Sequence, residues 1–79
     1  MENTAREMTY GEKAVGLTFN PSGDSKVQEV KELYAKIIDV LVEEKSKPCS
    51  EAKTSMFDIA IMHAQTAQMW AVKGITYPF

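Results

Sequence analysis

The sequence predicts an all-α fold, a short N-terminal helix followed by an antiparallel helical hairpin, and three observations carry that reading. Two long segments, 26–45 and 48–73, repeat apolar residues at spacings of three and four, the period of a helix face. Helix-start chemistry stands ahead of the first two helices. No segment reads as a convincing strand.

Residues 1–8 (MENTAREM) are polar and lack a strong apolar period, so they are expected to form an arm that orders only when something covers it. Thr9-Tyr10-Gly11-Glu12 has the form of a capping box, in which the Thr9 hydroxyl accepts from an amide three residues on and Glu12 reaches back. A short helix over 10–17 follows. With Gly11 and Gly16 inside it, this helix is too short to stand alone, and packing of Val15 and Leu17 is expected to hold it as a docked lid.

Leu17 to Asp24 is a connection, because Pro21 fixes its own φ, biases Asn20 towards extended backbone, and is followed by Ser22-Gly23. Ser25-Lys26-Val27-Gln28 repeats the capping-box pattern. The long helix over 26–45 then carries Val27, Val30, Leu33, Tyr34, Ile37, Ile38, Leu41 and Val42 as one apolar stripe. Glu29, Lys31, Glu32, Lys36, Asp39, Glu43 and Glu44 are expected on its solvated side. Pro48 suits the opening turn of the helix over 48–73, where its missing N–H costs little, and Gly74 suits the position just past its end.

Two apolar faces run along this last helix. Ala52, Met56, Ile59, Ala60, His63, Ala67, Trp70 and Ala71 make one, and Phe57, Ile61, Ala64, Gln68 and Val72 make its neighbour. The hairpin partner covers only one of them, so the other is expected to bury against a second copy of the chain. The tail 75–79 is too aromatic for a solvated terminus and is expected to pack on a neighbouring surface.

A chain of 79 residues makes one domain, 1–79, and folding alone removes only about 60% of its unfolded surface from water. Small chains offset this with disulfides, metals or association. Cys49 is the single cysteine and His63 the single histidine, which excludes an intrachain disulfide and a Cys/His zinc site and leaves self-association as the expected support. No metal and no cofactor are expected. One thiol and no recognisable signal peptide predict a reducing cytosol, and no apolar run approaches the roughly 20 residues of a membrane span. Nine Lys plus Arg against eleven Asp plus Glu give a net charge of -2, which argues against a protein that coats DNA or RNA. An anion has to be met locally.

Thr9 to Lys26 is where such a meeting is expected. Tyr10 can offer a ring face to a nucleobase and Lys26 a charge to a phosphate, while Gly11, Gly16, Ser22 and Gly23 leave room for close approach. A lysine in the first turn of a helix opposes the dipole by about a few tenths of a kcal/mol, a conflict that a bound phosphate would remove. The plainer alternatives are a solvated Lys26 paired with Asp24 and a Tyr10 that merely packs; the residues by themselves leave both open. Gly23-Asp24-Ser25-Lys26 lacks the P-loop spacing and a preceding strand, which excludes nucleotide hydrolysis. His63 on an apolar face reads as an interface or core histidine, since no nucleophile and orienting carboxylate accompany it. Cys49 reads as an inert thiol, and Met56, Met62 and Met69 as adaptable packing. No enzyme is expected.

The run TYGEKAVGLTFNPSGDSKVQEVKELYAKIIDVL, with AQTAQMWAVKGIT after a gap, resembles the small phage anti-CBASS proteins that act as cyclic-nucleotide sponges, relatives of the hairpin domain of Thoeris anti-defence sponges. The likeness covers residues 8–76. It implies an all-helical homohexamer in the host bacterial cytoplasm that sequesters cyclic dinucleotides such as 3′,3′-cGAMP without cleaving them, and so starves the CBASS effector. It also implies a pocket between protomers in which Tyr10 stacks on a base and Lys26 meets a phosphate, with Gly11, Asn20 and Ser25 as neighbours. The two-fold character of the ligand suggests an interface offering one Tyr10 and one Lys26 from each side. Some relatives hold cyclic trinucleotides at a second site, for which Thr66 and Lys73 are the comparable groups here. The alternatives are a sponge for a cyclic ADP-ribose-type Thoeris signal or for cyclic trinucleotides, and a helical adaptor that inhibits a host protein.

Overall fold

A computed structural model describes residues 7–79; residues 1–6 of the expected arm lie outside the described residues. The chain forms three helices, α1 (Tyr10–Ala14), α2 (Ser25–Lys45) and α3 (Glu51–Thr76), with no strand among the described residues. The all-α architecture follows the sequence reading.

Helix α1 starts as its sequence indicates. The Thr9 hydroxyl accepts from Glu12 N at 3.1 Å, and Glu12 Oε1 accepts from Thr9 N at 2.9 Å. It ends earlier than residue 17. Gly16 adopts a left-handed φ of 62°, with Gly16 N donating to Lys13 O at 3.1 Å and Leu17 N to Glu12 O at 3.0 Å. That paired reversal is a Schellman stop, so Gly16 terminates the helix instead of sitting inside it.

The connection is held by its own side chains. Asn20 Nδ2 donates to Asp24 O at 3.0 Å, and Ser22 Oγ donates to Asn20 Oδ1 at 3.1 Å. Asp24, not Ser25, then caps α2: its Oδ1 accepts from Lys26 N at 2.7 Å and Val27 N at 3.3 Å. A carboxylate takes two free amides at the positive end of the helix, which outcompetes the neighbouring hydroxyl. Gln28 does not reach back but donates to Glu32 Oε2 at 3.3 Å.

Helix α3 is shifted relative to its expected span for a similar reason. Ser50 accepts from Lys53 N at 3.2 Å and caps it, which leaves Pro48 outside the helix. At the other end α3 passes through Gly74 to Thr76. Nothing lies within 4 Å of a Cβ built at Gly74. Gly74→Ala is therefore expected to stabilise the protein by about 0.5–1 kcal/mol, raising the thermal midpoint by roughly 2–8 °C. A lower midpoint would refute the reading of Gly74 as a free helical position.

The two long helices run antiparallel. Val27 and Lys31 near the start of α2 share a cavity with Val72 and Thr76 near the end of α3, and at the opposite end Lys45 Nζ meets Asp58 Oδ1 at 2.6 Å. Val15, Ala35, Ile38 and Ile61 form the buried core, with Ala14, Leu17, Tyr34, Leu41, Val42 and Ala64 packed around it. The core is small because the fold is one helix layer: the thinnest extent of the backbone is 12 Å. Stable domains ordinarily close two packed layers over a core. Here the Phe57, Ile61, Ala64, Gln68 and Val72 face of α3 turns to α2, whereas Met56, Ile59, His63 and Trp70 on its other face are exposed, Trp70 by 65%. The expected stripe of α2 also divides, with Val27 and Ile38 buried but Leu33 and Ile37 open to solvent.

The largest departure from expectation is how α1 is held. Lys31 belongs to the expected solvated side, yet it is only 5% exposed. Its ammonium donates to Gly16 O at 2.9 Å and to Phe19 O, and lies 5.5 Å from the Phe19 ring centroid. Asp39, eight residues on and also expected in solvent, accepts from Gly11 N at 2.7 Å. Helix α2 thus presents an acid to the amide end of α1 and a base to its carbonyl end, matching the direction of the α1 dipole. The docked lid exists, and a polar clamp holds it together with Val15 and Leu17. Lys31 stands four residues after Val27 and four before Ala35, both buried, so the helical period places it on the packed row.

Candidate ligand-binding site

Tyr10, the first residue of α1, sits at the mouth of a cleft of about 440 Å³ against the end of α2 and the first half of α3. Tyr10 is 55% exposed. Val42, Lys45, Asp58, Ile61, Met62 and Gln65 contribute to the walls. The size falls within the range of small-molecule pockets, which bury flat apolar ligands and orient them with a few polar groups. The Thr9–Glu12 box fixes where α1 begins, and Gly11 brings it against α2, so the position of Tyr10 rests on both.

Lys45 and Asp58 form the charged rim. The Asp58 carboxylate, by its hydrogen bond and its charge, holds the Lys45 ammonium above the usual lysine range. One cation and one anion face each other there, so an entering phosphate would have to exchange with Asp58 for Lys45. Sequence reading missed Lys45, Asp58 and Gln65. Their signal lies in the antiparallel register of the hairpin, which puts residues from the end of α2 beside those from the start of α3.

Lys26 is elsewhere. It is exposed, and its ammonium meets Glu29 Oε1 at 3.0 Å and not Asp24, whose carboxylate is engaged in capping. Val42 and Lys45 of the Tyr10 cleft follow Lys26 by 16 and 19 residues, roughly 24–28 Å of helix. One protomer therefore does not bring Tyr10 and Lys26 onto one small ligand.

The other expected site residues divide between structure and surface. Gly11 is buried with its N–H given to Asp39, and a Cβ there would overlap Ala35 O, so it acts by letting α1 approach. Both polar ends of the Asn20 side chain are used in the turn. Ser25 is exposed beside Lys26 in the opening turn of α2. Thr66 and Lys73 are exposed on α3, with the Thr66 hydroxyl donating to Met62 O at 3.2 Å and the Lys73 ammonium 5.2 Å from the Trp70 ring centroid. Seven residues apart, they flank Trp70 on one face of α3, and neither lines the Tyr10 cleft.

A family model described as Acb2/Tad1, hairpin domain, matches residues 12–76, which covers most of α1, the connection and both long helices. The chain belongs to this hairpin-domain family. Membership places it among sponge-type anti-defence proteins, which bind signalling molecules instead of transforming them. Lys26, Asn20, Ser25, Thr66 and Lys73 fall inside the matched span, while Tyr10 and Gly11 lie just before it. No curated protein and no solved structure matches the chain. For this hairpin-domain protein, no helix among the described residues is long and apolar enough to cross a membrane. No three described His, Cys, Asp or Glu residues cluster as metal ligands.

Proposed function

We propose that this protein sequesters cyclic dinucleotides of the 3′,3′-cGAMP class in the host bacterial cytoplasm, as a homohexameric phage sponge that blocks CBASS immunity without cleaving the messenger. The observation that carries the reading is the half-exposed Tyr10 at the mouth of a ligand-sized cleft, in a member of the hairpin-domain family. A sponge has to hold its ligand more tightly than the effector does, which favours enclosure over turnover. Enclosure needs more than one thin layer. The open Met56, Ile59 and Trp70 face of α3 and the open Leu33 and Ile37 of α2 supply surface for a second copy.

The separation of Tyr10 from Lys26 changes the expected symmetry of the pocket. A pocket on a two-fold axis cannot receive both residues from both chains. Each pocket instead takes Tyr10 from one protomer and Lys26 from another, so an antiparallel pair of chains forms two equivalent pockets.

Calorimetric titration with 3′,3′-cGAMP at micromolar protein should give saturable heat, and its absence would sink the proposal. A parallel titration with cyclic trinucleotides and a cyclic ADP-ribose-type messenger separates the related sponge activities. Tyr10→Ala and Lys26→Ala are each expected to abolish binding while light scattering still reports the intact oligomer. Assembled together in equal amounts, the two variants should regain roughly a quarter of the sites, since some pockets then pair an intact Tyr10 with an intact Lys26. No recovery in mixed oligomers would overturn the pairing of Tyr10 from one protomer with Lys26 from another.

A further inference from the structure

A second cavity lies on one chain, where the end of α1 and the following turn meet α2 and α3. It measures about 410 Å³, and Lys13, Phe19, Lys31, Gln68, Met69 and Val72 are among its lining residues. Gln68 is the unusual member. It is only 4% exposed, and its amide has no hydrogen-bond partner among the described residues. Leaving a buried amide unpaired is costly, and a leucine or methionine would fill the same position without that cost. Beside it, Lys31 uses two of its three donors on Gly16 O and Phe19 O. Phe19 receives Lys31 on its ring yet is 70% exposed, which leaves aromatic surface for stacking.

These groups define a chemistry. A glutamine amide offers a donor and an acceptor side by side in one plane, the complement of the N6 donor and N7 acceptor on adenine. The corresponding guanine edge has two acceptors and cannot take both. An exposed phenylalanine offers a stacking face to a base of either kind. Lys13 is exposed at the rim, where its ammonium can meet a phosphate outside the base site. We propose that this cavity binds an adenine mononucleotide, with Gln68 reading the base edge, Phe19 stacking on the ring and Lys13 facing the phosphate. The site is complete within one protomer, so it is independent of the shared pocket built on Tyr10 and Lys26.

The test uses the full chain labelled with 15N, with the Gln68 side-chain amide signal identified by its loss in Gln68→Met. Titration with AMP is expected to shift that signal saturably, in the unsubstituted protein and in Tyr10→Ala alike. Gln68→Met should weaken AMP binding about tenfold or more, in keeping with the loss of a bidentate base contact, and should leave the 3′,3′-cGAMP titration unchanged. Without nucleotide the same substitution should raise the thermal midpoint, because an unpaired amide is removed. Phe19→Ala should also weaken AMP, as a second variant that spares the buried amide. The proposal fails if AMP leaves the Gln68 signal in place, if GMP or inorganic phosphate moves it equally, or if Gln68→Met lowers the midpoint and so shows that the amide already has a partner.

Discussion

Lys31→Met is expected to cost about 2–3 kcal/mol of stability, the range for hydrogen bonds made by a charged group plus the orphaning of its acceptors. The substitution keeps the length and apolar stem of the side chain but removes the ammonium, leaving Gly16 O and Phe19 O without their donor. For a domain of this size the thermal midpoint should fall by roughly 10 °C or more. The loss should concentrate in α1 and the turn that follows, while the α2–α3 hairpin keeps its helical signal. Hydrogen exchange resolves this, with Gly16 and Leu17 amides losing protection first. A midpoint within about 2 °C of the unsubstituted protein would mean that the clamp contributes little and that Val15 and Leu17 hold the lid.

Gly11→Ala is expected to release α1 and with it the Tyr10 site. In an ordinary helix the change from glycine to alanine is worth about 1 kcal/mol of stabilisation. Here the sign reverses, because the new Cβ would overlap Ala35 O and stand 2.7 Å from Asp39 Oδ1. Backbone cannot give way as a flexible side chain can, and overpacking of this kind costs about 1–3 kcal/mol. Helix α1 has five residues and no stability of its own, so the least costly relief is to undock it. Binding of 3′,3′-cGAMP should then fall far more than global stability does. Circular dichroism should retain most of the helical signal while calorimetry loses the binding heat. Retained binding by Gly11→Ala would show that the close approach of α1 to α2 does not govern the position of Tyr10. The opposite expected signs for Gly11→Ala and Gly74→Ala make the pair a direct test of what each glycine is for.

The elements readable along the chain were those governed by near neighbours. The Thr9–Glu12 capping box depends on a hydroxyl and a carboxylate three residues apart, and it forms as the pattern indicates. The two long helices follow from apolar spacing, and the broad pattern of α3 shows in advance that its second face stays uncovered within one chain. Boundaries were harder, because a neighbouring residue or an unusual φ can take over the part that the pattern assigns. Ser25 reads as the cap of α2, yet Asp24 takes that place because its carboxylate reaches two amides. Gly16 reads as a weak residue inside the helix, and its left-handed φ makes it the stop instead.

The candidate site was legible only in part. Tyr10 stands out because it opens a helix, but Lys45, Asp58 and Gln65 reach it only through the antiparallel register of α2 and α3. Lys26 and Tyr10 are close in sequence and lie at opposite ends of α2, since the connection turns the chain back along that helix. Sequence proximity therefore suggested one clamp, whereas the fold separates its halves.

The sequence by itself determined an all-helical chain with a short capped helix, two long amphipathic helices and more apolar surface than one hairpin covers. Those properties arise from periodicity and capping, which act over one or two turns. Only the tertiary structure decided that Lys31 and Asp39 leave the solvated side to clamp α1, that Gly11 is a packing contact, and that Gln68 is buried without a partner among the described residues. Each of these depends on groups 12 or more residues away, because whether a polar side chain stays in water or is buried is set by the donors and acceptors that folding brings to it.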